Sequence, residues 1–318
     1  MADVDGGEGV VFEVLPRDLS AYRKGNTGVD YVHRFESGKP GPHVLVNALT
    51  HGNEICGMVA ATHLLDTGVR PKIGTLTVSF ANVAAYQSFD KSKPFDSRQL
   101  VHNLNRIWSD AWLDGPEQSP ELQRARELRP IVAAADHVLD IHSTSQDVDP
   151  FWVYQGFARN AEVALAIGRP SIHLVMPNGM SSGTPLIQHG RHGIAGSGAG
   201  ASLVAECGGH FRQSSADMAT MVALDFLAHF GLVEHGATPG APREPQRRYE
   251  LLEIYVMRTE AFRFTRPVVG FETYAKGELV ATDGDFELRA PDDCTLLMPA
   301  RRAIPGREGA YLARRIPD

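Results

Sequence analysis

No apolar run in this 318-residue chain approaches the roughly 18 to 20 residues that a membrane-spanning helix requires, which excludes a helical membrane protein. Cysteine is scarce. Cys56, Cys207 and Cys294 are odd in number and far apart, so no disulfide framework is implied. Basic charge is in deficit: 31 Lys and Arg stand against 38 Asp and Glu, and the net −7 argues against a nucleic-acid partner. The stretch Met1 to Gly9 is acidic and glycine-rich, without the basic and apolar regions of a signal peptide, so a cytoplasmic protein is expected. What is present, 43% hydrophobic and 22% charged residues, is a globular composition and excludes disordered and collagen-like classes. At roughly 150 residues per domain the length predicts two domains, or one large domain with an appendage.

Five short apolar runs read as buried strands: His43 to Ala48, Gly74 to Phe80, His137 to Ile141, Ser171 to Met176 and Ser202 to Ala205. Helical patterns lie between and after them, at Glu54 to Leu65, Pro120 to Ala135, Ala158 to Ile167 and Ala216 to Phe230. Continuous apolar strands alternating with helices predict an α/β fold, a mostly parallel mixed sheet covered by helices on both faces. After Phe230 the pattern changes. His235 to Arg248 is rich in Pro and Gly and reads as a linker, and the short segments Leu251 to Met257, Val268 to Tyr274, Glu278 to Ala281 and Thr295 to Met298 predict a smaller β-rich unit. The expected division is 1–234, a catalytic α/β domain, and 235–318, linker and β-rich domain.

Ligands of open α/β sheets bind beyond the carboxyl ends of the strands. Four of the five predicted strands run there into polar or ionisable residues: Thr50-His51-Gly52-Asn53-Glu54, Asn82, Asp140-Ile141-His142-Ser143-Thr144-Ser145, and Glu206-Cys207-Gly208-Gly209. His51 and Glu54 are three apart, so at a helix start both can face one way. With His142 they supply two imidazoles and a carboxylate, a donor set that suits a catalytic Zn²⁺ with an open fourth position. Asp140, on the same strand face as His142, can hold a ligand histidine's other ring nitrogen.

Together with Asn103-Leu104-Asn105-Arg106 and the glycine pair after Glu206, these motifs resemble the succinylglutamate desuccinylase/aspartoacylase branch of the zinc carboxypeptidase superfamily. The resemblance runs in order from about His43 to Gly209, with a further match near the C-terminus. It implies a zinc carboxypeptidase-like fold and one zinc per chain on His51, Glu54 and His142. It also implies a carbonyl-polarising Arg98, a substrate-carboxylate pair in Asn105 and Arg106, and a catalytic carboxylate in Glu206. Glu308-Gly309-Ala310-Tyr311 resembles the stretch whose tyrosine, here Tyr311, reaches back to the substrate. A homo-oligomer is a further expectation of the resemblance.

Two positions depart from the family pattern. Members commonly carry Asp-Leu-Asn-Arg where this chain has Asn103, which removes a charge that could orient a neighbouring arginine. Aspartoacylases proper carry an arginine about ten residues before the catalytic glutamate, where Gly196 stands here; Arg191 is the nearest candidate and would need a loop insertion to serve. The resemblance therefore does not extend to specificity for N-acetylaspartate, while it does imply hydrolysis as such.

The expected activity is zinc-dependent amide hydrolysis that removes an acyl group from a small N-acyl amino acid. Glu206 would move the proton of the attacking water to the leaving amine. The alternatives are a metallocarboxypeptidase acting on short peptides and a non-catalytic carboxylate-binding protein. Other motifs carry less. Gly179-Met180-Ser181-Ser182-Gly183 matches the serine-hydrolase elbow formally, but the prolines and glycines after it deny the required helix, so it reads as a loop near the pocket. Gly196 to Gly200 lacks phosphate-loop spacing. His63, His102, His189, His192 and His210 read as helix-face, surface or supporting residues. Cys207 reads as a small buried residue or a thiolate ligand, and Phe151, Trp152 and Tyr154 as an acyl pocket or as packing.

Overall fold

The structure is a computed structural model and describes residues 10–177, 179, 182–234 and 244–317. The acidic stretch Met1 to Gly9 and residues 235–243 of the expected linker lie outside the described residues. The elements run β1 (Val32–Glu36), β2 (His43–Ala48), α1 (Ile55–Asp66), β3 (Thr75–Phe80), α2 (Val83–Gln87), α3 (Asp110–Leu113), α4 (Pro120–Ala134), β4 (His137–Thr144) and β5 (Phe151–Gln155). Then follow α5 (Ala158–Ile167), β6 (Ile172–Met176), β7 (Ser202–Gly209), α6 (Gln213–His229) and β8 (Arg247–Val256). The last are β9 (Arg263–Phe264), β10 (Thr273–Tyr274), β11 (Leu279–Asp283), β12 (Phe286–Arg289), β13 (Cys294–Leu297) and β14 (Glu308–Ile316).

One eleven-stranded sheet has the order β1-β3-β2-β4-β7-β5-β6-β8-β14-β13-β10; β12-β11-β9 form a smaller sheet. β3, β2, β4 and β7 are mutually parallel neighbours, as are β5 and β6. β1 closes one edge antiparallel, and β8, β14, β13 and β10 continue the other edge antiparallel to one another. The expected mixed, mostly parallel sheet with a β-rich C-terminal region is thus observed. Every residue of β2 is buried. Alternation sends Val44, Val46 and Ala48 into the core beneath α1 and α6, while Leu45 faces α4 with Val138, Leu128 and Val132. Among the described residues no helix is long and apolar enough to cross a membrane.

The sequence reading misses β1, β5, β9, β12 and β14 and misplaces one segment. Val268 to Tyr274 is strand only over Thr273–Tyr274. Gly270 at φ +132° and Phe271 at φ 68° turn the chain away from extended geometry before the strand begins. The final residues of the expected linker, Arg247 and Arg248, already belong to β8 and pair with β6. β4 and β7 each extend past their apolar runs into the polar residues that form the site.

Candidate active site

The metal-type cluster is built at the carboxyl ends of β2 and β4. After β2 the chain turns through Leu49 at φ 59° and reaches His51-Gly52-Asn53-Glu54 before α1. Gly52 is required by close approach: a Cβ there would lie 2.4 Å from backbone atoms of Ala85, Tyr86 and Ser97. Gly52→Ala is therefore expected to push His51 out of place and to lower the urea unfolding midpoint by several tenths molar, an overpacking cost of about 1 to 3 kcal/mol.

Glu54 sits at the N-cap of α1 but makes no side-chain cap bond. Its carboxylate turns into the cluster, Oε1 at 2.7 Å from His51 Nδ1 and Oε2 at 2.8 Å from His142 Nδ1. One donor atom from each of the three residues lies within 4.8 Å of the others, and all three are buried. The outer ring nitrogens also face oxygen. His51 Nε2 is 2.9 Å from Asn103 Oδ1, and His142 Nε2 is 2.7 Å from Asp140 Oδ2. Asp140 Oδ1 in turn accepts from Asn47 and Thr50, both at 2.8 Å.

Asn103 Oδ1 also accepts from the Asn105 amide at 2.9 Å, which fixes it as the oxygen. Each imidazole thus meets an acceptor at both nitrogens. That arrangement suits either a doubly protonated ring or a cation between the Nδ1 atoms and Glu54. Burial, and then the Arg98 guanidinium, push the pKa of His51 down to about 4, against a proton on both nitrogens. Burial also opposes the charge of His142, but the Asp140 and Glu54 carboxylates hold its pKa well above the ordinary value. For Glu54 burial works the other way, and the two imidazoles outweigh it and hold the carboxyl well below its usual range. Two imidazoles and a carboxylate, buried and oriented from behind by Asn103 and Asp140, fit a divalent zinc. Asn103, which lacks the charge of the family's aspartate, thus rests on His51.

Glu206 faces this cluster from the neighbouring strand. β7 runs parallel to β4 with Glu206 in register with His142. Its Oε2 has no hydrogen-bond partner among the described residues, and burial pushes the carboxyl up to about 8. Arg98 Nη1 lies 3.1 Å from Glu54 Oε1. The loop that carries Arg98 toward Asn103 is held by Glu121, in the first turn of α4, which the sequence reading does not single out. Its fully buried carboxylate accepts from the amides of Leu100 at 2.7 Å and His102 at 3.2 Å, and from that of Val101. Glu121→Ala strips these amides of their acceptor and is expected to cost about 2 to 3 kcal/mol in urea unfolding.

The last strand completes the site. Arg106 donates from Nε to Ser182 Oγ and Glu308 Oε1, both at 2.9 Å, and from Nη2 to the Tyr311 hydroxyl at 3.3 Å. Glu308 and Tyr311 are three apart, which in a regular strand puts them on opposite faces. A register shift between Glu308 and Ala310 against β8 brings both to Arg106. Gly309 occupies the irregularity, where a Cβ would meet Met257 Cγ at 2.7 Å. Burial works against the Glu308 charge, yet Arg106 and Ser182 hold its pKa down at about 2 against an ordinary 4.5.

By linkage this ion pair contributes on the order of 3 kcal/mol above pH 4.5, lost as pH falls toward 2. Urea midpoints of the wild type and Glu308→Gln should accordingly differ at pH 6 and converge as acid is added.

All eight residues expected at the site (His51, Glu54, Arg98, Asn105, Arg106, His142, Glu206 and Tyr311) line one cavity of about 230 Å³. Arg191 does not. It bonds Ala135 O at 2.7 Å and Asp136 at 3.1 Å, before the start of β4 and away from the strand's carboxyl end, so neither it nor Gly196 supplies a cation to the pocket. Phe151, Trp152 and Tyr154 are fully buried packing residues of β5; only Val153 of that strand lines the cavity. His210 lines it and pairs with Ser143 Oγ at 2.8 Å, while His102 meets the Trp112 ring edge-to-face and His189 bonds Trp108 O. Cys207 is buried with its Sγ toward Ala205 O, not toward the cluster. Met180 and Ser181 of the elbow-like loop lie outside the described residues, and Ser182 supports Arg106. Arg302, Arg307 and Glu308 line the cavity and are not singled out by the sequence reading.

A mostly parallel α/β sheet with a His-x-x-Glu…His cluster at its carboxyl edge and a β-rich region over it is the zinc carboxypeptidase-like fold. Residues 40–169 match the family model of the succinylglutamate desuccinylase/aspartoacylase catalytic domain, so the resemblance read from the sequence is shown in that stretch. The chain is 31% identical over 122 residues to the human N-acyl-aromatic-L-amino acid amidohydrolase (carboxylate-forming). That match covers 35% of this chain and 36% of the human enzyme, so it spans only about a third of the relative's length. In fold the chain is similar to a succinylglutamate desuccinylase/aspartoacylase from Rhodobacter sphaeroides, with TM-score 0.61 and 23% identity over 88% of this chain and 87% of that one. A succinylglutamate desuccinylase from Vibrio cholerae gives TM-score 0.65 and 18% identity over 90% of this chain and 86% of that one.

Proposed function

We propose that the protein is a zinc-dependent amidohydrolase that removes the acyl group from a small N-acyl amino acid. The observation that carries this reading is that a buried two-histidine, one-carboxylate cluster and Glu206, whose buried Oε2 has no hydrogen-bond partner among the described residues, line one cavity. His51, Glu54 and His142 would hold the metal. When bound, zinc supplies a Lewis acid and lowers the pKa of water from 15.7 to about 7. Glu206 accepts the proton of the attacking water and returns it to the departing amine. Arg98, the guanidinium nearest the cluster, balances the charge that grows on the carbonyl oxygen. Asn105 commits its Oδ1 to the Leu186 amide at 3.0 Å, which turns the Nδ2 donor to the substrate beside Arg106 and the Tyr311 hydroxyl. In this division of labour residues 1–234 carry the metal and the base, and 235–318 brace Arg106 through Glu308 and Tyr311.

Incubating the zinc-loaded protein with a panel of N-acyl amino acids and a tripeptide tests the reading by release of primary amine. Chelator-sensitive release from an N-acyl amino acid, without cleavage of the tripeptide, is expected. No release from any member of a broad panel would contradict it.

A further inference from the structure

One wall of the cavity takes no part in the proposed chemistry. It is built by neighbouring strands in defined register. Val204 stands two residues before Glu206 on β7, so the two side chains share a sheet face. Val153 of β5 is paired with Val204, and Ile254 of β8 is paired with Tyr311. Ile187 follows Leu186, whose amide donates to Asn105 Oδ1 at 3.0 Å. All four line the cavity, and Met176 and Met298 complete the wall. It therefore starts beside Glu206 and ends beside Asn105 and Tyr311. Val153 and Ile254 are only half-buried, because they face the cavity. The cations of the cavity are engaged elsewhere. Arg98 lies 3.1 Å from Glu54 and Arg106 2.9 Å from Glu308. Arg302 lies 3.6 Å from Asp96, and Arg301 and Arg302 both stand over the Phe95 ring. The Asp96 and Glu308 carboxylates act on Arg307.

We propose that this wall, with Val204 at its head, is the side-chain pocket of the site and selects N-acyl amino acids whose side chain is apolar, such as those of leucine and methionine. This inference rests on the amidohydrolase reading, which sets the substrate carboxylate at Arg106 and the scissile amide beside Glu206. The α-carbon of the substrate joins those two groups. Its side chain therefore meets the surface that runs between Glu206 and the Asn105–Tyr311 end, which is the apolar wall. The acyl group leaves the amide on its other side and is not read there. An apolar side chain seated on Val204, Val153 and Ile254 removes apolar surface from water on both partners. An acidic side chain in the same place loses its hydration and gains no cation in return. Arg191 does not supply one, since its guanidinium is held by Ala135 O and Asp136.

Binding tests the pocket apart from turnover. The zinc-loaded Glu206→Gln protein is titrated calorimetrically with the N-acyl derivatives of leucine, methionine, glycine and aspartate. Each is supplied in an acetyl and a succinyl series, so that the acyl end does not decide the outcome. Leucine and methionine derivatives are expected to bind about 10- to 100-fold more tightly than the glycine derivative of the same series. The aspartate derivative should bind no more tightly than glycine. Adding Val204→Thr, which keeps the shape and places a hydroxyl on the wall, should cut the leucine-to-glycine ratio by about 5- to 10-fold. Ile254→Thr, at the other end of the wall, should lower the same ratio. Zinc content and melting temperature identify any variant whose fold has changed. A leucine-to-glycine ratio near one, tightest binding of aspartate, a ratio that neither threonine substitution moves, or no binding in either series would overturn the pocket. A Val204-dependent apolar preference in a protein whose wild type hydrolyses no N-acyl amino acid would uphold the pocket and sink the hydrolase.

Discussion

Glu206→Gln is expected to lower kcat by about 10³-fold while the zinc content stays at one per chain. The substitution keeps the size and shape of the side chain and removes only its ability to take a proton. It leaves the metal-type cluster intact, because Glu206 contributes neither a donor atom to it nor a hydrogen bond to its members. An amide oxygen and nitrogen at this buried position introduce no new charge, so stability should change little or rise slightly. A carboxyl held up at about 8 by burial gives up a desolvation cost when it becomes an amide. Single-turnover amine release beside metal analysis measures both quantities. Unchanged kcat in the zinc-loaded variant would remove Glu206 from the proposed chemistry.

His142→Ala should have the larger structural consequence. Both ring nitrogens of His142 are engaged, with Asp140 at 2.7 Å and Glu54 at 2.8 Å, and all three side chains are buried. Removing the ring leaves two carboxylates facing each other without the cation between them, at a cost on the order of 3 to 5 kcal/mol to the metal-free chain. It also removes one of the three metal donors. Zinc affinity is expected to fall by several orders of magnitude and amine release to fall below detection. Asp140→Ala acts only from behind the ring and should cost about 10- to 100-fold in metal affinity. Competition with a chromophoric chelator ranks the two, and an Asp140 effect equal to that of His142 would mean that the aspartate itself is a ligand.

The metal-type cluster was legible because its parts lie where local rules are strong. β2 is a run of buried residues that ends at Ala48, and the motif after it occupies a strand-to-helix join, so strand direction and helix start together aim His51 and Glu54. His142 and Glu206 lie at the ends of the next parallel strands, and a parallel register needs no turn chemistry to align them. The second half of the site was only partly legible. Tyr311 entered through resemblance alone. Its neighbour Glu308 opens a strand whose inward and outward faces are exchanged by the irregularity at Gly309, and alternation counted from the sequence gives the wrong face. The aromatic run of β5 was ambiguous for a different reason. A five-residue strand running antiparallel to β7 inside an otherwise parallel region carries no periodic signal of its direction. Arg191 shows the opposite failure: nearness in sequence to a missing arginine placed it on the list, and the loop sends it to Asp136.

Metal analysis of the purified wild type and of His51→Ala, Glu54→Ala and His142→Ala, each dialysed against a weak chelator and reloaded with zinc, bears most directly on the cluster. One tightly held zinc per chain in the wild type, absent from all three variants, is the predicted result. A wild type that retains no zinc, or variants that keep it at full occupancy, would contradict the reading on which the proposed reaction stands.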